Sequence, residues 1–323
     1  MIALYPLLLT ATLHAKPWGG RALADYMHKP LPTDEPYGEA WELHDTSIVA
    51  NGPHNGRTLG DLLREYGEAL VGAGNDPAEG FPLLAKILDA NDWLSIQDHP
   101  NDKQARELEG EPRGKNEAWY MLGAEAGARL VIGVQPGLSR EDIAAAIVHN
   151  SLEDKVVYAN VSEGDVMYMA AGSVHALGPG LLVYEIQQSS DTTYRLYDWG
   201  RMGLDGKPRA LHIEKGLKVA NLETLPEIKH TRHETGKQVE IVRSPYFYTD
   251  LYQLNAINGQ NVDLDTGGRR FHSLTCIDGS AMVHAGEYEV AFTTGQTVLI
   301  PAALGAYTLH GEDTRVLLSA QNP

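Results

Sequence analysis

A short segment of the sequence places an amide and an imidazole two residues apart. In LSIQDHPND, residues 94 to 102, Gln97 and His99 project to the same side of an extended chain, because strand side chains alternate between faces. Pro100 ends the run. Taken alone, the pair fits a polar barrel face or a hydrogen-bonded core histidine, because one histidine with one neighbour is a weak metal signal.

The segment GKNEAWY, residues 114 to 120, repeats this spacing with charged groups. Lys115, Glu117 and Trp119 would share one face of a strand. A buried lysine and a buried glutamate are costly unless they are paired or bind a metal. The alternative interpretation is an edge strand with both groups in solvent.

More polar side chains follow later in the chain. His175 comes after a glycine turn in AGSVHALG, where the rim of a barrel would place it. In VYEIQQSSDTTYRLYDWGR, residues 183 to 201, Glu185 and Gln187 share one face, and Arg195 follows the turn SSDTT. A solvated sheet face is the alternative explanation of this run.

Four of these side chains form a set of nitrogen and oxygen ligands, which we call the candidate metal set: Gln97, His99, Glu117 and His175. Such a set suits zinc, or another divalent ion where supply dictates, at one ion per chain. Three or four protein ligands with room for water are typical of a catalytic site. Because none of them is a thiolate, the ion would keep strong Lewis acidity.

The composition is that of a soluble globular protein. The 323 residues correspond to about two domains, and 43% hydrophobic with 21% charged residues argues against disorder. With 26 basic and 43 acidic residues, the formal charge of −17 argues against binding to duplex nucleic acid, which needs clustered Lys and Arg. A few converging cations could still hold one small phosphorylated ligand.

Cysteine usage and hydropathy predict a cytoplasmic protein. Cys276 is the only cysteine, which excludes an intrachain disulfide and a thiolate zinc site and fits a reducing compartment. The opening MIALYPLLLTATLHA lacks a basic region and is interrupted by Pro6, so we interpret it as a first strand and not as a signal peptide. No apolar run of about 18 residues occurs, so we expect no membrane partner.

Secondary structure must position these groups, and the sequence predicts helices mainly in the first half. Helical spacing or capping residues occur in four segments: 57–72, 101–110, 138–150 and 211–221. The second half consists of short strand-like runs between Gly, Asp and Asn turns, which is typical of a sandwich or a small barrel. The polar stretch 229–238 is the candidate linker between the halves.

A weak internal repeat relates the two halves. The segment 163–178 resembles the segment 294–311 in its glycine, its strand run and the turn that follows. When Gly164 is aligned with Gly295, His175 falls opposite Ala306. The repeat indicates two related barrels, of which only the first keeps the metal-competent histidine.

The chain resembles the class I, zinc-dependent mannose-6-phosphate isomerases of the short bacterial type, which belong to the cupin superfamily. Eight blocks in family order carry this resemblance and cover positions 18 to 215: WGG (18–20), GEAWE (38–42), FPLLAKILDA (81–90), LSIQDHPND, GKNEAWY, HALG, EIQQSSDTTYRLYDWGR and LHIEK (211–215). Eight ordered blocks are far more specific than one motif, whereas the last third of the chain matches only as a generic barrel.

The resemblance implies a mainly β chain built from two cupin-type, jelly-roll β-barrels, with a few short helices in the N-terminal half. Residues 1–230 would form a metal-binding catalytic domain with helical insertions. Residues 236–323 would form a smaller cupin-like β domain that lacks the metal ligands.

The resemblance also implies roles for individual residues. The zinc ligands of the family fall on the candidate metal set, an active-site lysine on Lys115, the catalytic arginine on Arg195 and an active-site carboxylate on Glu185. Ser95 and Lys86 fall where members bring a hydroxyl and an ammonium toward the substrate phosphate.

Two departures from the family pattern stand close to these residues. Asp98 lies between Gln97 and His99, where a small or apolar residue is expected, and strand alternation predicts that it points away from the metal. The sequence GEAWELHD differs from the usual continuation of its block, which concerns the breadth of substrates.

The implied reaction interconverts mannose 6-phosphate and fructose 6-phosphate by moving a proton between C2 and C1 through an enediolate. The metal would polarise the O1/O2 pair, and Arg195 would stabilise the charge of the enediolate. Either Glu185 or a metal-bound water is the base, and Lys115 would donate or position a proton.

Three other functions compete with this interpretation. A metal-dependent dioxygenase would use several histidines in an apolar cleft, whereas Lys115 and Arg195 imply an anionic substrate. A non-catalytic sugar-phosphate-binding cupin would have lost a ligand or Arg195, and neither is lost. An isomerase of another sugar phosphate is the strongest alternative. The sequence leaves the oligomeric state and the native metal open.

Overall fold

The computed structural model describes residues 3–231, 238–254 and 261–322, and its regular structure is mainly β-strand, as predicted. The strands up to residue 231 are β1 (Leu7–Thr10), β2 (Thr12–Gly20), β3 (Tyr37–Leu43), β4 (Ile48–Val49), β5 (Leu83–Ala90), β6 (Ile96–Asp98), β7 (Glu117–Ala124), β8 (Arg129–Val134), β9 (Val156–Asn160), β10 (Asp165–Met169), β11 (Ala176–Leu177), β12 (Leu181–Gln188), β13 (Tyr194–Tyr197) and β14 (Ile228–His230). The strands after residue 237 are β15 (Gln238–Arg243), β16 (Phe247–Leu254), β17 (Val262–Asp265), β18 (His272–Ala285), β19 (Tyr288–Thr293), β20 (Thr297–Ile300) and β21 (Ala306–Gln321).

The helices fall in the four predicted segments, one of which is interrupted, except for the short α1, which was not predicted. They are α1 (Ala22–Asp25), α2 (Leu59–Tyr66), α3 (Glu68–Val71), α4 (Asp102–Glu109), α5 (Arg140–Val148) and α6 (Ile213–Val219). Asn101 and Ser139 form capping boxes at the starts of α4 and α5. Gly67, at φ +50°, divides the predicted segment 57–72 into α2 and α3. Within the described residues, no helix has the length and apolar character needed to span a membrane.

Two large antiparallel sheets organise the strands. One has seven strands in the order β14-β10-β7-β12-β5-β3-β2. The other has nine, with the path β15-β16-β21-β18-β20-β1-β4 and with β17 and β19 attached to β21 and β18. Two smaller sheets, β11-β8-β9 and β13-β6, complete the fold. None of these sheets closes into a barrel over the described ranges, so the structure supports the mainly β prediction without the closed barrels.

A shared core holds the two large sheets together. Apolar side chains of both sheets belong to one buried cluster, which includes Ile186 of β12 and Leu317 of β21. A polar contact crosses between the sheets as well, because Tyr184 Oη of β12 lies 2.9 Å from Ser319 Oγ of β21. Thr249 Oγ1, from the same sheet as Ser319, lies 2.8 Å from that oxygen. The other face of each large sheet is therefore left for a cleft or for covering elements.

The first strand joins the sheet of the second half. Strand β1 pairs with β20, with Leu8 opposite Val298, so the predicted initial strand is confirmed. This pairing crosses the predicted boundary between residues 1–230 and 236–323, and that division remains a prediction. Residues 232–237 of the predicted linker lie outside the described residues.

A buried ion pair reinforces this connection between the halves. Lys29 donates to the carbonyl of Gly295 and lies 2.5 Å from Glu42 Oε1, while Thr297 Oγ1 donates to Glu42 Oε2 over 3.2 Å. Gly295 has φ +80°, and a Cβ there would lie 1.9 Å from the carbonyl oxygen of Met27. The contact therefore needs a glycine and a long cation in facing positions.

We expect Lys29→Met to lower the free energy of unfolding by about 3–5 kcal/mol, because the buried Glu42 carboxyl would lose its cationic partner. Urea denaturation followed by circular dichroism measures the change. Lys103→Met is the matched control, because the Lys103 side chain is 83% exposed and its surface ion pair contributes little. Equal stability of the two variants would contradict the assigned role.

Candidate metal centre and active site

Strand β7 places a charged pair inside the protein. The side chain of Glu117 is 1% exposed and that of Lys115 is 4% exposed, and Lys115 Nζ lies 3.3 Å from Glu117 Oε2. Burial by itself would raise the pKa of Glu117, but the ammonium of Lys115 leads the effects that hold this pKa well below its usual range. The alternative of a solvated edge strand is wrong, because β7 lies between β10 and β12.

Two imidazoles approach the same carboxylate. His175 Nε2 lies 3.1 Å from Glu117 Oε1, and His99 Nε2 lies 3.6 Å from Glu117 Oε2. The backbone brings them together, because Gln97 and His175 exchange hydrogen bonds of 3.0 and 2.9 Å across a β-bridge. Directly opposed residues of such a bridge direct their side chains to one face, so Gln97 and His175 face the same side.

The hydrogen bond at Nδ1 of each histidine ring determines which ring nitrogen carries the proton. His99 Nδ1 lies 2.8 Å from the carbonyl oxygen of Thr192, and His175 Nδ1 lies 2.8 Å from that of Ser173. A carbonyl only accepts, so Nδ1 carries the proton and Nε2 of a neutral ring presents a lone pair to Glu117. Burial, assisted by Lys115, places the pKa of His99 well below its usual value, so this ring is neutral near pH 7.

These buried acceptors need a cation among them. Glu117 Oε1, Glu117 Oε2 and both Nε2 atoms make no hydrogen bond within the described part of the chain. The ligand atoms of His99, Glu117 and His175 all lie within 4.8 Å of one another. Lone pairs in such proximity repel each other unless a positive ion lies between them, so the residues present fit a divalent metal ion.

Gln97 and Asp98 occupy opposite sides of strand β6. Gln97 lines the cleft beside the histidines, and its Oε1 accepts a hydrogen bond of 2.9 Å from Ser95 Oγ. Asp98 is fully buried and lies under α6, where its Oδ1 would be 3.2 Å from a Cβ on Gly216. Burial raises the pKa of Asp98 well above its usual value.

A polar cleft of about 240 Å³ opens next to the candidate metal set. Five cationic and three anionic side chains line it together with smaller groups: Lys16, Trp18, Glu39, Lys86, Leu88, Leu94, Ser95, Gln97, Lys115, Glu185, Asp191, Thr193, Arg195 and Arg209. The cleft therefore holds an excess of positive charge in a chain whose formal charge is −17. Such a cleft is suited to a small anionic ligand.

Lys86 and Glu185 face each other at the base of this cleft. They are opposite residues of β5 and β12, and Lys86 Nζ lies 3.0 Å from Glu185 Oε1. Glu185 Oε2 accepts a hydrogen bond of 2.8 Å from Trp119 Nε1. Burial alone would lower the pKa of Lys86, but Glu185 and Glu39 raise it above its usual value. The polar strand β12 is thus a buried strand and not a solvated face.

Arg195 lies at the wall of the cleft. It stands opposite Gln97 in the pairing of β13 with β6, and its Nη1 donates to the carbonyl of Ala210 over 2.9 Å. Its Nε is buried and has no hydrogen-bond partner among the described residues. Burial lowers the pKa of Arg195, yet a guanidinium starts high enough to stay charged at neutral pH.

The structure adds cleft residues to which the sequence analysis gave no role. Lys16 lies 3.1 Å from Glu39, and Arg209 donates to Asp198. Burial would raise the pKa of Glu39, but Lys86 and Lys16 hold it at about 2. Glu39 belongs to the GEAWE block, so the sequence pattern of that block could have indicated it as a cleft residue. Lys16 and Arg209 lie outside the eight blocks that carry the family resemblance.

Known proteins are similar to this chain in sequence and in fold. The profile of the family described as "Phosphomannose isomerase type I, catalytic domain" matches residues 7–127. "Mannose-6-phosphate isomerase ManA" of Bacillus subtilis is 33% identical over 316 residues, which is 95% of this chain and 96% of that protein. The chain belongs to the mannose-6-phosphate isomerase family. A family member from Streptococcus mutans is 33% identical over 326 residues, or 98% of each chain.

Solved structures agree with this family assignment. The crystal structure of the mannose 6-phosphate isomerase from Bacillus subtilis superposes with a TM-score of 0.83 at 28% identity, over 98% of this chain and 99% of that one. A putative mannosephosphate isomerase from Archaeoglobus fulgidus gives a TM-score of 0.78 at 19% identity, over 100% of both chains, and shows the shared fold alone.

We expect His175→Ala to lose the bound divalent ion, because two remaining close ligands cannot replace the lost lone pair. Metal content per chain, measured by mass spectrometry after dialysis, should fall at least about tenfold. His149→Ala is the matched control, because His149 is exposed at the end of α5 and should leave the metal content unchanged. Full occupancy in His175→Ala would exclude His175 as a ligand.

Proposed function

We propose that this chain is a metal-dependent aldose–ketose isomerase that interconverts mannose 6-phosphate and fructose 6-phosphate. The buried, unpartnered acceptors around Glu117, next to a cation-rich cleft, are the observation that carries the proposal. Family membership supports the same reaction, because relatives that are 33% identical over nearly their full length bear the name of this activity. The substrate is a small phosphorylated sugar.

Zinc is our proposal for the ion, at one per chain. Gln97, His99, Glu117 and His175 would hold it, a nitrogen and oxygen donor set that zinc accepts and other divalent ions share. When bound, the ion would supply Lewis acidity to the substrate oxygens O1 and O2, which the aldose and the ketose carry in turn as the carbonyl oxygen. His99 and His175 are held for this role by their Nδ1 hydrogen bonds.

Arg195 and Lys115 act on the charge that develops on the substrate. The free Nε of Arg195 and its charged guanidinium would stabilise the enediolate, which carries a negative charge that the sugar lacks. Lys115 lines the cleft while its ammonium stays within 3.3 Å of Glu117, so it can donate or position a proton at a substrate oxygen.

Glu185 is our proposal for the proton acceptor that this chain provides. Its two oxygens are oriented by Lys86 at 3.0 Å and by Trp119 at 2.8 Å, so the carboxylate is held in one position in the cleft. A base that moves a proton between adjacent carbons needs such a fixed position.

Ser95 and Lys86 remain our proposal for contacts with the substrate phosphate. Both line the cleft, but each already has a partner, since Ser95 donates to Gln97 and Lys86 faces Glu185. Arg209 and Lys16 bring two further cations to the same cleft, so we add them to the phosphate contacts.

The proposed domain organisation follows the family. We propose two cupin-type units, a catalytic one over residues 1–230 and a smaller one over residues 236–323 that lacks the metal ligands. The two large sheets, each with its own outer face, support this division.

A coupled assay of the conversion of mannose 6-phosphate to fructose 6-phosphate tests the function. We expect activity that is lost after chelation and restored by adding zinc back. Bound metal without activity toward this sugar would point to another sugar phosphate as substrate. Absence of both metal and activity would refute the proposal.

We expect Arg195→Ala to keep its metal but to lose about 100-fold or more in kcat, which is typical for removing one electrostatic contact to a transition state. Parallel measurements of metal content and of kcat separate this role from metal binding. Arg64→Ala, on the exposed surface of α2, is the control and should keep full activity. If Arg195→Ala keeps the kcat of the wild type, Arg195 has only a structural role.

A further inference from the structure

Four strands of the seven-stranded sheet recur in the nine-stranded sheet. The antiparallel order β5-β12-β7-β10 corresponds to β16-β21-β18-β20. The registers correspond as well. In the first sheet, one row across the four strands reads Lys86, Glu185, Trp119 and Met167. In the second sheet, the matching row reads Asp250, Leu318, Leu274 and Val298.

The ends of the strands show which residues of the second sheet correspond to the candidate metal set of the first sheet. Glu117 begins β7 opposite Met169, the last residue of β10, and His272 begins β18 opposite Ile300, the last residue of β20. His272 therefore occupies the place of Glu117 in the second sheet.

The bridge beside the metal set has a counterpart too. The pairing of Gln97 with His175 corresponds to that of Asp265 with Ala306. The latter agrees with the internal repeat, which aligns His175 with Ala306. Two residues beyond Asp265, Gly267 stands where the first half has His99.

The second half has thus exchanged the metal ligands but kept a cation. Of the four counterparts of the candidate metal set, only Asp265 and His272 keep a ligand-type side chain, which is fewer than the three protein ligands of a typical metal site. Lys115 precedes Glu117 by two residues, and Arg270 precedes His272 by two. The position of the active-site ammonium is therefore retained as a guanidinium.

A cavity of about 480 Å³ lies at this equivalent place. Its lining includes the counterparts of the catalytic cleft, among them Asp250, Asp265, Arg270, His272 and Leu318. Two further arginines, Arg243 and Arg269, line it as well. A cavity of this size accommodates a small ligand.

The arginines are arranged around an aromatic ring. The guanidinium of Arg243 lies 4.7 Å from the ring centre of Tyr248, and that of Arg270 lies 5.6 Å from it. The backbone N–H of Arg269 donates to the carbonyl of Thr266 over 3.1 Å, whereas its side chain makes no ion pair or hydrogen bond among the described residues. Arg243 is partly neutralised, because its Nε donates to Glu240 over 2.8 Å.

Acceptors line the same cavity. Asp250 is buried, its Oδ2 accepts from Gln238 over 2.9 Å, and its Oδ1 has no hydrogen-bond partner in the described chain. Oδ1 lies 3.8 Å from Arg243 Nη2, which is beyond hydrogen-bond distance. Asp265 accepts from the backbone of Gly267. The cavity thus combines cations, one aromatic face and an unsatisfied carboxylate oxygen.

We propose that this cavity is a second, metal-free binding site for a small sugar phosphate. Guanidinium groups bind phosphate through paired hydrogen bonds, which suits Arg269 and Arg270. The free oxygen of Asp250 would accept from a sugar hydroxyl, and the face of Tyr248 would pack against the sugar ring. The site binds without converting its ligand, because it lacks a complete set of metal ligands and because Leu318 stands in the place of Glu185.

Calorimetric titration of the full-length, metal-loaded protein with glucose 6-phosphate tests this proposal. We expect two binding events per chain in the wild type. The double variant R269Q/R270Q should lose one of them or weaken it about tenfold or more, because charged hydrogen bonds to phosphate are lost. Its kcat for isomerisation should stay within about twofold, because neither arginine lines the catalytic cleft.

The variant R64Q is the matched control, because it removes a guanidinium from the exposed surface of α2. Hydrogen exchange locates the site independently, since glucose 6-phosphate should slow the amides of residues 265–271 in the wild type and in R64Q but not in R269Q/R270Q. Wild-type binding that R269Q/R270Q leaves unchanged would overturn the proposal. Two unchanged events in R269Q/R270Q, with unprotected amides, would overturn it as well.

Discussion

Burial of the Glu117 carboxylate beside two imidazole nitrogens is the constraint on which the site depends. The Nε2 atoms of His99 and His175 lie 3.6 and 3.1 Å from the carboxylate oxygens, and among the described residues these four atoms make no hydrogen bond. Such an arrangement is costly for folding unless a cation compensates it. The backbone therefore keeps in place a set of groups that could hold a metal ion.

The charged residues around the candidate metal set are also buried and paired. Lys115 accompanies Glu117, Lys86 accompanies Glu185, and each pair is almost fully enclosed. Buried pairs of this kind contribute little net stability, but they fix the position of every charged atom that a substrate meets. The rigidity comes from neighbouring strands of one sheet, which are more precise supports than loops.

Parts of this arrangement could be predicted from local sequence. The spacing of two between Gln97 and His99, and between Lys115 and Glu117, follows from the alternation of a strand. The capping boxes at Asn101 and Ser139 were visible for the same reason, because each uses contacts within four residues. Roles for single residues came from the family resemblance and not from periodicity.

The pairing of strands that are distant in the chain could not be predicted from local sequence. Lys86 and Glu185 are opposed only because β5 and β12 adopt one register, and nothing local in either strand records that register. Lys16 and Arg209 reach the cleft from segments without a distinctive pattern. The open sheets and the place of β1 in the second sheet likewise depend on contacts between residues almost 300 positions apart.

The pairing of β1 with β20 orders events during synthesis on the ribosome. Residues Leu7–Thr10 are made well before their partner strand Thr297–Ile300. Of the two strands that flank β1 in the structure, only the two-residue β4, whose Val49 lies opposite Leu9, is available before that strand emerges. Leu7 and Leu9, which are buried in the finished protein, are therefore incompletely covered during this interval. Pairing across so long a stretch of chain is slow. Chaperones that bind short apolar segments thus have a defined target in β1.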